Sequence, residues 1–312
     1  MNNTDRDMPA EVVSKWVHAD CGVELSDLTV TDRYRELTER LTGAVTERCS
    51  SESAFFSFLL YGMPGSGKSV ISRIVISELL KQGYTFMELT VCDFGSLYLG
   101  EDARKLHIFF REAKKREPVV ILFDEVELFM RRTGDALMKE LSALRKEGRK
   151  ICFIGCTSYP QMVSMPIVKS MDMLIPVMLP DAEMRKTFFE NKLKNIAVDG
   201  DLTFEKMAEM TEKRSFRTLN GICLDICQNI FKKACEKYTV KLPDGSIAYK
   251  DTDDAVCEAL ARHEFRLDAA EFEKILAKYP VFQHCDEYIR AYNDFENSIK
   301  AYNNFVNSFK DT

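Results

Sequence analysis

Residues 57–180 alternate short apolar runs with longer stretches in which apolar positions recur every three to four residues. The short runs predict strands over 57–62, 85–91, 119–125, 151–156 and 175–179. Three of them are almost continuously apolar, as expected of strands covered on both faces. Between them, "KSVISRIVISELLKQG" (68–83) predicts a helix that stops at Gly83, and "EDARKLHIFFREAKKRE" (101–117) predicts another that stops before Pro118. Strands that alternate with helices of this length make a parallel sheet with crossover helices, an α/β domain.

The pattern changes at Pro180-Asp181. From there to about residue 280 every periodic segment reads as helix, and "LPDGS" (242–246) interrupts them as a turn. The chain therefore divides into an N-terminal segment (1–21), an α/β domain (22–180), a small all-helical lid (181–280) and a C-terminal amphipathic helix (281–312). That last helix contains a duplication, "AYNDFENSIK" (291–300) followed by "AYNNFVNSFK" (301–310). A ten-residue copy does not by itself preserve a 3.5-residue period. The seam of Cys285, Tyr288, Tyr292, Phe295, Ile299, Tyr302, Val306 and Phe309 nevertheless keeps 3-4 spacing, because Val306 replaces the copy of Glu296. Asparagine is a poor helix former and five occur here, so the helix needs a surface to pack on. The lid is the expected surface, with self-association or a partner protein as the alternatives.

At 312 residues, two domains are the better expectation. A net charge of −6 excludes a large basic field for nucleic acid. "AKKRE" (113–117) and "LRKEGRK" (144–150) read as solvated helix faces. No stretch approaches the ~20 apolar residues of a membrane span, and the polar N-terminus lacks a signal-peptide core, so the expectation is a cytoplasmic protein without a membrane partner. The ten cysteines include no CxxC pair; Cys152, Cys156, Cys223 and Cys227 read as small buried side chains. Trp16 is a candidate anchor for an N-terminal docking arm.

"GMPGSGKS" runs from Gly62 to Ser69 as G-x-x-x-x-G-K-[ST], after a strand and before a helix. In it Gly62, Met63, Gly65, Ser66 and Gly67 offer backbone N–H groups to a polyphosphate, and Pro64, which has none, belongs to the same loop. Lys68 adds a positive charge on the β- and γ-phosphates, Ser69 a hydroxyl for Mg²⁺, and Val70 continues the helix whose dipole faces the anion. "VVILFDEVE" completes the chemistry: Asp124 is placed to hold hydrated Mg²⁺, and Glu125 to polarise a water against the γ-phosphate of ATP.

Phosphate loop, "ILFDEVE", "GCTSYP" and "VMLPDAEMRKTFF" follow one another as in an AAA-type ATPase of the AAA+ superfamily of P-loop NTPases. The chain resembles most the clade of katanin-like and spastin-like protein remodellers, over roughly residues 22–280. The resemblance implies an ATP-hydrolysing homo-oligomer, a hexameric ring, that remodels a protein substrate. It puts a polar sensor at Ser158, where asparagine is usual, and a second sensor at Arg217 within "RSFRTL". It makes Tyr98, Leu99 and Gly100 the tip of a pore loop that grips peptides, for which a tyrosine face suits many sequences. It departs from the family at Lys169 and Ser170, where arginine fingers are expected. Lysine lacks the planar two-pronged guanidinium and serine carries no charge. Slow hydrolysis, a surrogate role for Lys169, an arginine from elsewhere in the assembly, or a substitute at Arg131 or Arg132 are the expectations that follow. An ATP-operated assembly switch is the alternative function, and a P-loop kinase a more distant one.

Overall fold

A computed structural model describes residues 13–22, 32–49, 54–94, 100–241, 247–249, 265–281 and 285–308. These fall into two compact units, one drawn from residues up to 178 and from 286 onward, the other from residues 179–285. The first unit contains β1 (Val17–His18), α1 (Asp32–Cys49), β2 (Phe56–Tyr61), α2 (Lys68–Lys81), β3 (Thr85–Glu88) and α3 (Glu101–Lys114). It continues through β4 (Val119–Phe123), α4 (Val126–Glu147), β5 (Ile151–Thr157), α5 (Met165–Ser170) and β6 (Met173–Pro176). The strands form one sheet in the order β1-β3-β4-β5-β2-β6. All pairs from β2 to β6 are parallel, and only β1 runs antiparallel, against β3.

The near-continuous apolar strands behave as their composition demands: β2, β4 and β5 are buried along their whole length. On one face, Phe109, Phe110, Phe123, Phe129 and Phe153 meet edge to face, stacked or tilted, at centroid distances of 4.8–6.1 Å. Such aromatic pairs contribute beyond their buried area. The predicted strand over 85–91 is shorter than its apolar pattern. It ends at Glu88, and Thr90 then exchanges hydrogen bonds with Asp93 to close a single 3-10 turn. Trp16 is no docking arm: it is 1% exposed, and its ring packs edge-on to Phe109 at 5.4 Å. Its carbonyl accepts the Glu88 amide at 2.9 Å. Cys152, Cys156 and Cys223 are buried as expected, whereas Cys227 is exposed. No helix among the described residues is long and apolar enough to cross a membrane.

One supposed solvated cation has a structural task. Arg145, near the end of α4, donates to both carboxylate oxygens of Asp172 at 2.7 and 2.9 Å, and to the Ser170 carbonyl at 2.8 Å. Asp172 in turn accepts the amide and hydroxyl of Ser57 in β2, at 2.9 and 2.7 Å. The guanidinium also lies 5.1 Å over the Phe55 ring. Burial works to raise the Asp172 pKa, but the hydrogen bonds from Arg145 and Ser57 outweigh it and hold the carboxyl below its ordinary range.

The second unit contains α6 (Ala182–Lys192), β7 (Ala197–Val198), α7 (Phe204–Met210), α8 (Phe216–Tyr238), β8 (Thr239–Lys241), β9 (Ile247–Tyr249), β10 (Arg266–Leu267) and α9 (Ala269–Leu276). Asp181, Thr203 and Asp268 cap three of its helices through side-chain oxygens. Phe189, Leu219, Ile226 and Phe272 lie in its core. The all-helical expectation needs correction here. β8 and β9 pair antiparallel on either side of residues 242–246, and β7 pairs with β10 in parallel. The β-branched Thr239 and Val240 favour extended backbone once α8 ends. The helix expected from "DDAVCEALARHEF" and the turn residues 242–246 lie outside the described residues.

Where its side chains are described, the C-terminal helix, α10 (Cys285–Ser308), packs on the α/β unit and not on the lid that the sequence suggested. From residue 286 it belongs to the α/β unit, and Phe295 joins that unit's core. Its reason is chemical. Tyr61 ends a buried strand with a hydroxyl that needs a partner, and Glu296 accepts it at 2.6 Å. Tyr292 donates to the same carboxylate oxygen at 3.0 Å and stacks on Tyr61 at 5.6 Å. Burial first, and then the hydrogen bond to Glu296, pushes both phenols well above the ordinary tyrosine range. Glu296, the position that Val306 replaces in the second copy, is thus what joins the first copy to β2.

Two outcomes follow. Phe295→Ala should lower the unfolding free energy by about 3–5 kcal/mol in a denaturant titration, the cost of emptying a buried aromatic site. On the acid side, a carboxyl whose folded pKa is depressed stabilises the protein above its unfolded value. That contribution is lost as pH falls through the folded value. Asp172→Asn should therefore flatten the acid limb of a melting-temperature profile measured below about pH 4, the unfolded aspartate range.

Candidate nucleotide-binding site

β2 ends at Tyr61, and the chain turns at once into the glycine-rich loop. Gly62 lies so close to the segment that follows β6 in the chain that a Cβ would stand 2.0 Å from the Val177 carbonyl oxygen. Val177 donates its amide to the Tyr61 carbonyl at 2.8 Å, which holds that approach in place. Gly67, with φ 106°, is the N-cap of α2, in a backbone conformation that side chains with a Cβ avoid. The loop then enters α2 at Lys68. Its ammonium is nearly buried and donates to the carbonyl oxygens of Gly62 and Met63 at 2.8 and 2.9 Å. The positive charge thus sits at the centre of the loop. Ser66 is buried, Met63 is at the margin of burial, Pro64 and Gly65 are half-buried, and Val70 is exposed on the helix.

Ser69 and Asp124 come together although 55 residues separate them: the Ser69 hydroxyl donates to Asp124 Oδ2 at 2.8 Å. Asp124 follows the last residue of β4, and its other oxygen accepts the Glu125 amide at 3.1 Å. A hydroxyl and a carboxylate side by side are hard oxygen donors of the kind Mg²⁺ takes, with phosphate and water completing its shell. Among the described residues no group of three or more His, Cys, Asp or Glu side chains could hold a metal. The donor set here fits an ion shared with a polyphosphate.

Glu125 caps α4 with φ 55° and ψ 49°, left-handed backbone that is costly for a residue with a Cβ. Its side chain is exposed. Strain of this kind persists only where the neighbours enforce it. Ser158 follows the last residue of β5 and is half-buried, its amide donating to Glu127 Oε1 at 3.2 Å. Cys156, two residues before it, is buried. Burial, reinforced by the Asp124 charge, pushes its thiol above the ordinary range.

The other expected site residues are placed as follows. Gly100 is the left-handed N-cap of α3, whereas Tyr98 and Leu99 lie outside the described residues. Lys169 is exposed in the last turn of α5, and the Ser170 hydroxyl donates to the Ile167 carbonyl at 2.8 Å. Arg131 and Arg132 lie on α4, and their side chains are outside the described residues. Arg217 is exposed in the first turn of α8, in the second unit.

Sequence reasoning missed two supports. Tyr34 of α1 is buried and donates to the Ser66 carbonyl in the loop, at 3.3 Å. It stands equally close to the Met178 carbonyl, at 3.2 Å. The 3-4 spacing of Tyr34, Thr38, Leu41 and Val45 signals a buried helix face, but nothing in it names the loop as the hydroxyl's partner. Glu127, two residues beyond Glu125, is the other.

The family model for AAA, the ATPase family associated with various cellular activities, matches residues 58–179. The proteasome-activating nucleotidase of Sulfurisphaera tokodaii is 26% identical over 183 residues, covering 54% of this chain and 46% of that protein. That of Archaeoglobus fulgidus is 27% identical over 183 residues, covering 54% and 45%. The chain thus spans about half the length of the curated relatives it matches. Among solved structures, the FIGL-1 AAA domain superposes with a TM-score of 0.69 at 17% identity, over 95% of this chain and 98% of that one. The FIGL-1 AAA domain in complex with ADP gives 0.65 at 17% identity, over 93% and 98%. A structure concerned with katanin self-assembly gives 0.62 at 18% identity, over 91% and 98%. The family match spans the loop, the acidic strand end and β5 in a single stretch: residues 58–179 of this chain match the AAA ATPase family, and the chain has the fold of an AAA domain.

Proposed function

We propose that this chain binds ATP with Mg²⁺ in the loop of residues 62–69, hydrolyses it, and works in the cytoplasm as a homo-oligomeric ring that remodels a protein. The observation that carries the reading is the 2.8 Å contact between Ser69 and Asp124, with Glu125 held beside it. The loop amides and the Lys68 ammonium bind the β- and γ-phosphates. Ser69 and Asp124 would hold the ion, which would supply charge neutralisation to the phosphates. Glu125 accepts a proton from the water that attacks the γ-phosphorus as the bond to the β-phosphate oxygen breaks. The Ser158 hydroxyl orients that water. Arg217 is a γ-phosphate contact in this reading, and Tyr98, Leu99 and Gly100 grip the substrate peptide. The described cysteines are free thiols, consistent with a reducing compartment.

A second reading, slow turnover in the service of an assembly switch, draws on Lys169 and Ser170. Neither supplies a guanidinium, and a trans-acting arginine is worth about 10³–10⁵ in phosphoryl-transfer rate. The transition state spreads negative charge over the γ-phosphoryl oxygens, and an aimed cation stabilises that spread.

Lys68→Ala should abolish tight binding of a fluorescent ATP analogue. Glu125→Gln should bind the analogue as the wild type does and turn ATP over far more slowly; wild-type turnover in that variant would remove Glu125 from the mechanism. Ser170→Arg should raise turnover per site, and only at protein concentrations where sedimentation shows that subunits have met. Lys169→Ala should be nearly silent. A severe loss would instead make Lys169 the surrogate cation.

A further inference from the structure

Two oxygens beside the site are buried and have no hydrogen-bond partner among the described residues: Glu127 Oε2 and the Tyr288 hydroxyl. Glu127 is 3% exposed and Tyr288 6%. A native interior rarely leaves such atoms unsatisfied, because each has lost water and gained nothing in exchange.

Their surroundings bring them to one place. Glu127 stands in the first turn of α4, two residues past the strained Glu125, and its Oε1 already accepts the Ser158 amide at 3.2 Å. Tyr159, the next residue, meets the Tyr288 ring edge-on at 6.3 Å. The Tyr288 hydroxyl is pushed above the ordinary phenol range by burial first, then by Tyr292 and Tyr159, and also by the Glu127 charge. Tyr288 and Tyr292 are one helical turn apart on α10, and Tyr292 shares Glu296 with Tyr61, the residue that leads into Gly62. One helix thus reaches both the strand that feeds the phosphate loop and the segment that carries Ser158.

We propose that Glu127 is a positioning residue: one carboxylate oxygen holds the Ser158 amide, and the other meets the Tyr288 hydroxyl through a bridging water that satisfies both buried atoms. Through this pair the C-terminal helix sets the Ser158 segment against the turn that presents Glu125. The role differs from a packing role in one respect. It acts on the geometry of the water and γ-phosphate end, so it belongs to kcat and not to ATP binding.

The inference rests on the ATPase reading for its kinetic consequence, and the test therefore has an arm that needs no turnover. In the full chain, Tyr288→Phe should lower kcat about fivefold, the rate equivalent of one net hydrogen bond, with KM for ATP nearly unchanged. Glu127→Ala should lower kcat further, because the Ser158 tether is lost as well. Tyr288→Phe should then add nothing in the Glu127→Ala background, whereas Glu127→Gln, which keeps the shape and a hydrogen-bonding group for each partner, should recover much of the rate. Independent, multiplying effects on kcat would overturn the proposal, as would a Tyr288→Phe variant with wild-type kcat. The second arm is the melting temperature without nucleotide. Tyr288→Phe should lower it in the wild-type and Glu127→Gln backgrounds and leave it unchanged in the Glu127→Ala background. Equal shifts in the wild-type and Glu127→Ala backgrounds, or a rise in the wild type, would mean that the hydroxyl has no partner in Glu127. A protein with the stability coupling but no ATP turnover would retain the contact and remove the ATPase reading.

Discussion

Six consecutive residues of β2, Phe56–Tyr61, pair in parallel register with Cys152–Thr157 of β5. That ladder determines where two segments of the site leave the sheet, since Gly62 follows one strand and Ser158 the other at the same level. The Gly62 amide also donates to the Thr157 carbonyl at 3.3 Å, so the pairing continues one residue into the loop. A one-residue slip would exchange the two faces of β2 and take Ser57 from Asp172 and Tyr61 from Glu296, so these polar partners pin the register. The phosphate loop and the proposed sensor are therefore held in place by backbone pairing before any ligand contributes.

Other contacts brace the same strand from both ends. At the start of β2, Ser57 is tied to Asp172 and through it to Arg145, which also holds the Ser170 carbonyl. At its end, Tyr61 is tied to Glu296 of the C-terminal helix. The segment with the unusual Lys169 and Ser170 and the duplicated helix are thus both joined to the strand that feeds the loop. The cost of desolvating Asp172 is offset by charge-assisted hydrogen bonds, the arrangement in which a partly buried ion pair contributes net stability.

Backbone strain and close approach are concentrated where the chemistry is proposed. Gly62 admits no Cβ, and Gly67 and Glu125 cap their helices in left-handed conformations. At Gly67 the residue type removes the cost, whereas at Glu125 it remains. Strain of this kind needs rigid neighbours, and Asp124, which accepts the Glu125 amide, is one of them.

Much of the α/β unit was legible in the sequence, because burial on both faces imposes continuous apolar runs, and because a loop that wraps phosphate needs glycines, a lysine and a hydroxyl in fixed order. Those requirements are local, so Gly62–Ser69, Asp124 and Glu125 could be picked out with no knowledge of the fold. The first half of the C-terminal seam, Tyr288, Tyr292, Phe295 and Ile299, was legible for the same reason, whereas the side chains of Cys285, Tyr302, Val306 and Phe309 lie outside the described residues. Which surface would cover the seam was not legible, since an apolar stripe specifies a need for burial and leaves the partner open. Only the tertiary structure decided that Glu296 meets Tyr61, that Arg145 clamps Asp172, that Trp16 is sealed in the core, and that Glu127 holds the Ser158 amide. Each of these joins residues far apart in the chain through one polar atom or one ring, and a single long-range contact leaves no period and no composition for a sequence to display.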